Sequence, residues 1–178
     1  MTIREFIDDY SNTNFWAWMA AWDNPLSSSV IIRKDLTVFD VKDFNYPMTD
    51  AIDRIGWSGL STDGIARWIG WDIDVGHGET SVETLDDAFH VATRLFLRLD
   101  GHAELRLSSS GKGVHVRHTL LQPLKNDAAI RLAKNISRKI DGIDPTPCGR
   151  QCFWFWDRDP APGAFRQILP ARGGHIDG

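Results

Sequence analysis

Two aspartates separated by one residue are the side chains in this chain best suited to chemistry. Asp72 and Asp74 lie in the segment Trp68–Val75, where apolar residues flank and separate them. In a β-strand both carboxylates share one face. The two residues are about 7 Å apart at the backbone, since the rise is about 3.3 Å per residue. Burying both is costly unless a positive group lies between them, and hard divalent cations prefer carboxylate oxygens. The pattern therefore predicts a two-metal site, with a solvated edge strand as the simpler alternative.

A loop of small residues supplies the second group of candidates. It lies between the predicted strands Ala103–Leu107 and Val114–His118, and its key members are Ser109, Ser110, Gly111, Lys112 and Gly113. Small residues let backbone N–H groups approach an anion closely, and Lys112 adds positive charge. On the second strand, alternation places His115 and Arg117 together on one face. These residues predict a phosphate-binding turn beside a cationic wall, with a plain hairpin and an exposed His115 as the alternative.

Other catalytic patterns fit this sequence poorly. Lys112 is followed by neither Ser nor Thr and by a strand instead of a helix, so the loop is not a Walker A phosphate loop. Neither Ser109 nor Ser110 lies in the Gly-x-Ser-x-Gly pattern of a serine hydrolase. His115 and His118 fall on opposite faces of a strand, which disfavours the paired metal-ligand histidines of a rolling-circle nickase.

Hydrophobic periodicity predicts the elements that position these residues. Helices are predicted at 81–99 and at 127–140, the second capped by Asn126. Residues 42–66 are predicted to be a loop with one helical turn near 50–55. Further strands are predicted at Ser29–Arg33, Thr37–Val41, Gln151–Trp156 and Phe165–Leu169. The interleaving predicts an α+β (mixed α/β) fold, in which a mixed, largely antiparallel sheet is flanked by helices.

Charge is distributed unevenly along the 178 residues, whose net charge is −4. Residues 1–93 hold 6 Lys and Arg against 16 Asp and Glu, whereas residues 94–150 hold 11 against 5. A basic middle segment suits a polyanionic partner held on one side of the molecule. In the second helix, Arg131, Lys134 and Arg138 recur at i, i+3 and i+7 and so form one polar stripe. The alternative is that this stripe only solvates the helix.

Length and composition favour a single globular domain. The 42% hydrophobic and 25% charged content is ordinary for such a protein. No stretch approaches 18 consecutive apolar residues, and no basic-then-apolar leader opens the chain. We therefore expect no membrane partner and a cytoplasmic location.

The order and separation of these motifs resemble the catalytic core of the archaeo-eukaryotic primase superfamily, the primase-polymerases of plasmids, phages and repair systems. The three family motifs correspond to Asp72–Asp74, Ser109–His115 and Ile143–Asp144. The third motif is a single aspartate, and the nearby Asp141 competes with Asp144 for its role.

The resemblance also implies a division of the chain. Residues 67–170 would form the catalytic core, and residues 1–66 would be an unassigned N-terminal part of the same domain. Residues 171–178, which are rich in glycine, would be a flexible tail.

The resemblance further implies a role for each candidate residue. Two Mg²⁺ or Mn²⁺ ions would be bound by Asp72, Asp74 and Asp144, the catalytic carboxylates. A template backbone would be contacted by the stripe of Arg131, Lys134 and Arg138. The triphosphate of the incoming nucleotide would be held by Ser109, Ser110, Gly111, Lys112 and His115, with Arg150 and Arg166 as further contacts.

The implied activity is template-dependent nucleotidyl transfer, as in a DNA primase or polymerase. The implied partners are a single-stranded DNA template, an NTP or dNTP, and a helicase domain or partner, in the cytoplasm of a bacterial, plasmid or phage host. Two other functional classes are alternatives. A metal-dependent nuclease would use the carboxylates and a lysine for hydrolysis, and a non-catalytic DNA-binding module would need only the fold and the basic surface.

Overall fold

The computed structural model describes residues 1–3, 5–6, 9, 29–33, 38–40, 47–57, 59–60, 64–76, 81–143 and 153–169. The elements follow one another in the order β1 (Ser29–Arg33), β2 (Val38–Asp40), β3 (Ile52–Trp57), β4 (Ile65–Asp74), α1 (Leu85–Arg98), β5 (Ala103–Leu107), β6 (Gly113–Lys125), α2 (Asn126–Ser137), β7 (Phe153–Asp157) and β8 (Gln167–Leu169).

The strands form two four-stranded sheets. The first sheet has the order β2-β1-β3-β7 and the second has the order β4-β6-β5-β8. Within the described ranges, every ladder between these strands is antiparallel. Both helices pack on the second sheet. The predicted α+β fold with largely antiparallel strands flanked by helices is confirmed, although the strands divide between two sheets instead of gathering in one.

The second sheet buries its apolar face against the two helices. Trp71 and Ile73 from β4, with Val114 and Val116 from β6, are fully buried in that core. Trp71 donates a hydrogen bond from Nε1 to the carbonyl oxygen of Ala133 in α2, at 3.1 Å, which satisfies the one polar atom of its ring. Because side chains alternate along a strand, the residues between these apolar ones lie on the opposite face, away from the helices.

Helix α1 begins with the cap that its sequence favours. The Thr84 hydroxyl accepts from the Asp87 N–H at 3.1 Å, and the Asp87 carboxylate accepts from the Thr84 N–H at 3.0 Å. This reciprocal pair is a capping box, which satisfies two backbone donors that the helix leaves open. Ala88, Ala92 and Leu95 recur every three or four residues along this helix, and all three are buried.

Two local predictions are wrong. Asn126 does not cap α2, because Lys125 occupies the cap position without a side-chain hydrogen bond and Asn126 is the first helical residue. The segment 50–55 is not a helical turn, because residues 52–57 form β3, which pairs with β1 and β7. A register shift between Ile55 and Gly56 interrupts this strand, and that irregularity hides its alternation in the sequence.

No helix in the part of the chain that the structure describes is long and apolar enough to cross a membrane.

Candidate active site

The predicted carboxylate pair lies at the C-terminal end of β4. Asp72 is paired with His115 and Asp74 with Gly113 across the β4–β6 ladder. Since Trp71 and Ile73 face the helices, both aspartates lie on the opposite face of the sheet. β4 is the outermost strand of its sheet, as the simpler alternative supposed, but the Asp72 side chain is only 19% exposed. The face is therefore largely covered, so the carboxylate pair is not simply solvated.

His115 lies beside Asp72 in the interior. Its Nε2 atom is 3.7 Å from Asp72 Oδ1, and the residue is 3% exposed, unlike the exposed histidine of a plain hairpin. Burial lowers the pKa of His115 to about 4, and the charge of Asp74 opposes that shift. The imidazole is therefore neutral at neutral pH. Its 3.7 Å approach to Asp72 is too long for a hydrogen bond and is not an ion pair.

The loop between β5 and β6 closes against the end of β4. Gly111 has a positive φ of 67°, and its N–H donates to the Ser108 carbonyl at 3.1 Å. The Lys112 N–H donates to Ser110 Oγ at 3.2 Å, and the Lys112 carbonyl accepts from the Val75 N–H at 3.2 Å. Two amides that an anion-binding turn would use therefore donate within the loop, whereas the Ser110 and Lys112 side chains are exposed.

Gly113 brings the loop and the carboxylates together. A Cβ at this position would lie 3.0 Å from Asp74 Oδ1 and 3.3 Å from Ser108 Oγ, and it would be 2.8 Å from the Ile73 carbonyl oxygen. The Asp74 carboxylate and the Ser108 hydroxyl therefore flank the glycine. Real side chains essentially never approach a backbone oxygen to 2.8 Å, so this meeting point requires a residue without a Cβ.

A buried charged cluster, composed of Glu104, Arg106 and Arg117, occupies the same face. Arg106 Nη2 lies 2.6 Å from Glu104 Oε1, and Arg106 Nη1 donates to the Phe165 carbonyl at 3.1 Å. The ladder pairs Glu104 with Arg117 and Arg106 with His115. Burial raises the pKa of Glu104, and both arginines oppose the shift. Burial also lowers the pKa of Arg117 to about 9, so it stays protonated at neutral pH.

The sequence interpretation of the site did not include Glu104. The signal was present, because Ala103–Leu107 alternates strictly between apolar and charged residues, and Arg117 was already assigned to the same face as His115. Sequence alternation gives the face of a residue, but it does not show that a second sheet covers that face.

An aromatic ring from the first sheet covers this face. Phe153 of β7 is fully buried and stacks on His115, with ring centroids 4.4 Å apart and planes inclined by 11°. Phe153 also stacks on Trp68 at 5.6 Å, and the Arg117 guanidinium lies 5.7 Å from the Trp68 ring centroid. The two sheets therefore meet at the candidate site.

The remaining predicted residues are dispersed. Arg131 and Lys134 are exposed on α2, and Arg138 is exposed at its C-cap, one residue beyond the helix. α2 packs on the sheet face opposite the carboxylates. Arg166 is exposed, and its carbonyl accepts from the Leu107 N–H at 3.0 Å, next to the loop. Asp141 is exposed in the turn after α2, and Asp144 and Arg150 lie outside the described residues.

The donor set of the site suits a hard cation. Among the described residues, no cluster of three or more His, Cys, Asp or Glu is arranged to hold a metal ion, and the third predicted carboxylate, Asp144, is not among them. Asp72 and Asp74 nevertheless supply only oxygen ligands on one face, which is the chemistry that Mg²⁺ and Mn²⁺ prefer. The residues present fit a divalent cation site that needs further ligands.

Comparison with solved structures shows a likeness at low sequence identity. No protein-family model and no curated protein matches the chain. The structure is similar to the polymerase domain of Mycobacterium tuberculosis ligase D in complex with DNA, with 16% sequence identity and a TM-score of 0.47. The match covers 82% of this chain and 64% of that domain's chain, so this protein spans somewhat less than two thirds of its length.

Proposed function

We propose that this protein is a template-dependent nucleotidyltransferase of the primase-polymerase type. It would add NTPs or dNTPs to the 3′-hydroxyl of a primer on a single-stranded DNA template. The observation that carries the proposal is the convergence of Asp72, Asp74 and the loop 108–113 at one end of the β4–β6 ladder. Carboxylates beside a loop with an exposed serine and an exposed lysine match the two needs of phosphoryl transfer, which are cation binding and phosphate binding.

Asp72 and Asp74 would hold two Mg²⁺ or Mn²⁺ ions, with Asp144 as the proposed third ligand. Bound there, the ions would lower the pKa of the attacking hydroxyl and neutralise charge on the triphosphate. The chain itself orients these ligands. Gly113 leaves room for the Asp74 carboxylate, and the ladder to β6 fixes the direction in which both aspartates point.

The triphosphate would be held by side chains of the loop and its surroundings. Ser110 and Lys112 are exposed and can donate to phosphate oxygens, and Ser109, Gly111 and His115 would complete the triphosphate site. Arg166 lies next to the loop and would add a guanidinium, as would Arg150. Since His115 is buried and neutral, its contribution would be one hydrogen bond from a ring N–H.

The template would extend beyond the site. Arg131, Lys134 and Arg138 would contact its backbone on the helix side of the sheet, at a distance from the carboxylates. A helicase domain or partner would supply the single strand.

Three possible outcomes with one substrate test the proposal. A labelled primer annealed to a longer template is incubated with Mg²⁺ or Mn²⁺, with and without nucleotides. Extension that requires nucleotides supports the proposal. Shortening of the labelled strand without nucleotides would instead establish a nuclease, and retention of the strand in a gel shift with neither reaction would establish a non-catalytic DNA-binding module.

A further inference from the structure

Phe153 connects the first sheet to the candidate site through a flat ring contact. The ring is fully buried, and its centroid is 4.4 Å from that of His115 with the planes inclined by 11°. Phe153 also stacks on Trp68, with ring centroids 5.6 Å apart and planes inclined by 20°. Phe153 belongs to β7, whereas His115 and Trp68 belong to β6 and β4 of the second sheet. One side chain therefore crosses between the sheets and lies against two of the site's strands.

Gly70 makes room for this ring. A Cβ at Gly70 would lie 2.6 Å from both Cε2 and Cζ of Phe153, so any larger residue would displace the ring. Gly70 is in β4, two residues before Asp72, and its ladder partner is Arg117. The glycine has no positive φ that would otherwise explain it. The space above the strand is thus reserved for an aromatic ring that lies flat beside His115.

We propose that Phe153, seated over Gly70, is a positioning residue that fixes the plane of the His115 imidazole and so directs its Nε2 edge toward Asp72. The inference rests on the proposed function, because it assigns Phe153 to the nucleotide-binding role of His115. The torsion that rotates a histidine ring is broad and has no sharp intrinsic preference. A flat neighbour at 4.4 Å restricts that rotation, and the edge facing Asp72 is then set by β7 of the other sheet.

The test compares two substitutions that disturb the ring with a matched control. Phe153→Leu removes the ring, and Gly70→Ala pushes it away. Phe155→Leu is the control, because Phe155 is equally buried on the same strand and lies about 6.6 Å farther along it. The melting temperature of each variant is measured. Calorimetry measures its binding of dATP with Mg²⁺ and, separately, of single-stranded DNA. NMR follows the His115 Cε1–H resonance. That resonance is assigned by its loss in His115→Ala.

We expect both ring-disturbing variants to shift the His115 resonance downfield, away from the shielding of a stacked ring. We also expect them to weaken dATP binding about two- to twelvefold, which corresponds to the aromatic-pair energy of about 0.5–1.5 kcal/mol. Binding of single-stranded DNA should stay unchanged. A Cβ at Gly70 would also lie 3.0 Å from Cζ3 of Trp68, so Phe153→Leu, which leaves Gly70 unchanged, is the variant that isolates the Phe153 ring. Phe155→Leu should lower the melting temperature but should change neither the His115 resonance nor dATP binding.

Two outcomes would overturn the inference. One is an unshifted His115 resonance in Phe153→Leu, and the other is a loss of dATP binding in Phe155→Leu that matches its loss in Phe153→Leu at equal melting temperature. A wild-type protein that binds no dATP would instead refute the proposed function. The resonance arm would still decide whether Phe153 orients His115, so the two failures are distinguishable.

Discussion

Replacing Asp72 by Asn should stabilise the metal-free protein. Asp72 and Asp74 are about 7 Å apart at the backbone along β4, and this value is used for the separation of their charges. At that distance two like charges repel by about 0.6 kcal/mol in water and by about 2.4 kcal/mol at an effective dielectric constant of about 20. The Asp72 side chain is only 19% exposed, which favours the upper part of that range. For a chain of this size each kcal/mol shifts the melting temperature by about 2–4 °C, so an increase of about 1–10 °C is expected.

The same substitution should abolish stabilisation by Mn²⁺. A ligand that binds only the folded state adds about 2.7 kcal/mol at a concentration of 100 Kd. For the wild type this corresponds to an increase in melting temperature of about 5–11 °C. Asp72→Asn removes one of the two described carboxylates of the proposed site, so most of that increase should disappear.

Thermal unfolding with EDTA and across a Mn²⁺ titration measures both effects. Asp86→Asn is the control, because Asp86 is an exposed carboxylate on α1, away from the carboxylate face. That variant should respond to Mn²⁺ as the wild type does. The reasoning is refuted if Asp72→Asn melts lower than the wild type in EDTA and retains the full Mn²⁺ response.

Three further predictions concern the surroundings of the site and the basic stripe of α2. Gly113→Ala should destabilise the protein by about 1–3 kcal/mol, because its Cβ would meet the Ile73 carbonyl at 2.8 Å; urea unfolding measures this, and an unchanged midpoint would contradict it. Burial raises the pKa of Glu104, so the folded state retains this proton to higher pH than the unfolded chain does. The resulting stability is present below about pH 4.5 and is lost as the pH rises through the folded pKa. As the pH rises, the urea midpoint of Glu104→Gln should therefore fall less than that of the wild type. If the midpoints of both proteins change equally with pH, the Glu104 carboxyl group is not the cause of the pH dependence. Replacing Lys134 and Arg138 by Gln should flatten the log–log salt dependence of single-stranded DNA binding by about 1–1.5 units, whereas an unchanged slope would mean that the stripe only solvates α2.

The second half of the fold was predictable from local pattern. The alternation around Asp72 and the turn residues after Leu107 predict β4, β5 and β6, and the recurrence of apolar residues predicts α1. Once β4 and β6 pair in this register, alternation places Asp72 and His115 side by side on the same face of the sheet. These features depend on residues close together in sequence, which is where periodicity is informative.

The division into two sheets was not predictable in this way. β3 pairs with β7, about one hundred residues later, and a bulge at Ile55 and Gly56 disrupts the alternation of β3. The local pattern of residues does not indicate which distant strand a given strand pairs with. The burial of His115 and its stacking on Phe153 depend on that long-range contact, so sequence alone suggested an accessible histidine.

Primer extension by wild type and Asp74→Asn, at equal concentrations and with melting temperatures measured on the same preparations, tests the central claim most directly. The account predicts nucleotide-dependent extension by the wild type with Mg²⁺ or Mn²⁺, and none by a folded Asp74→Asn protein, because the substitution removes a proposed metal ligand. Extension by Asp74→Asn at a rate near that of the wild type would contradict it.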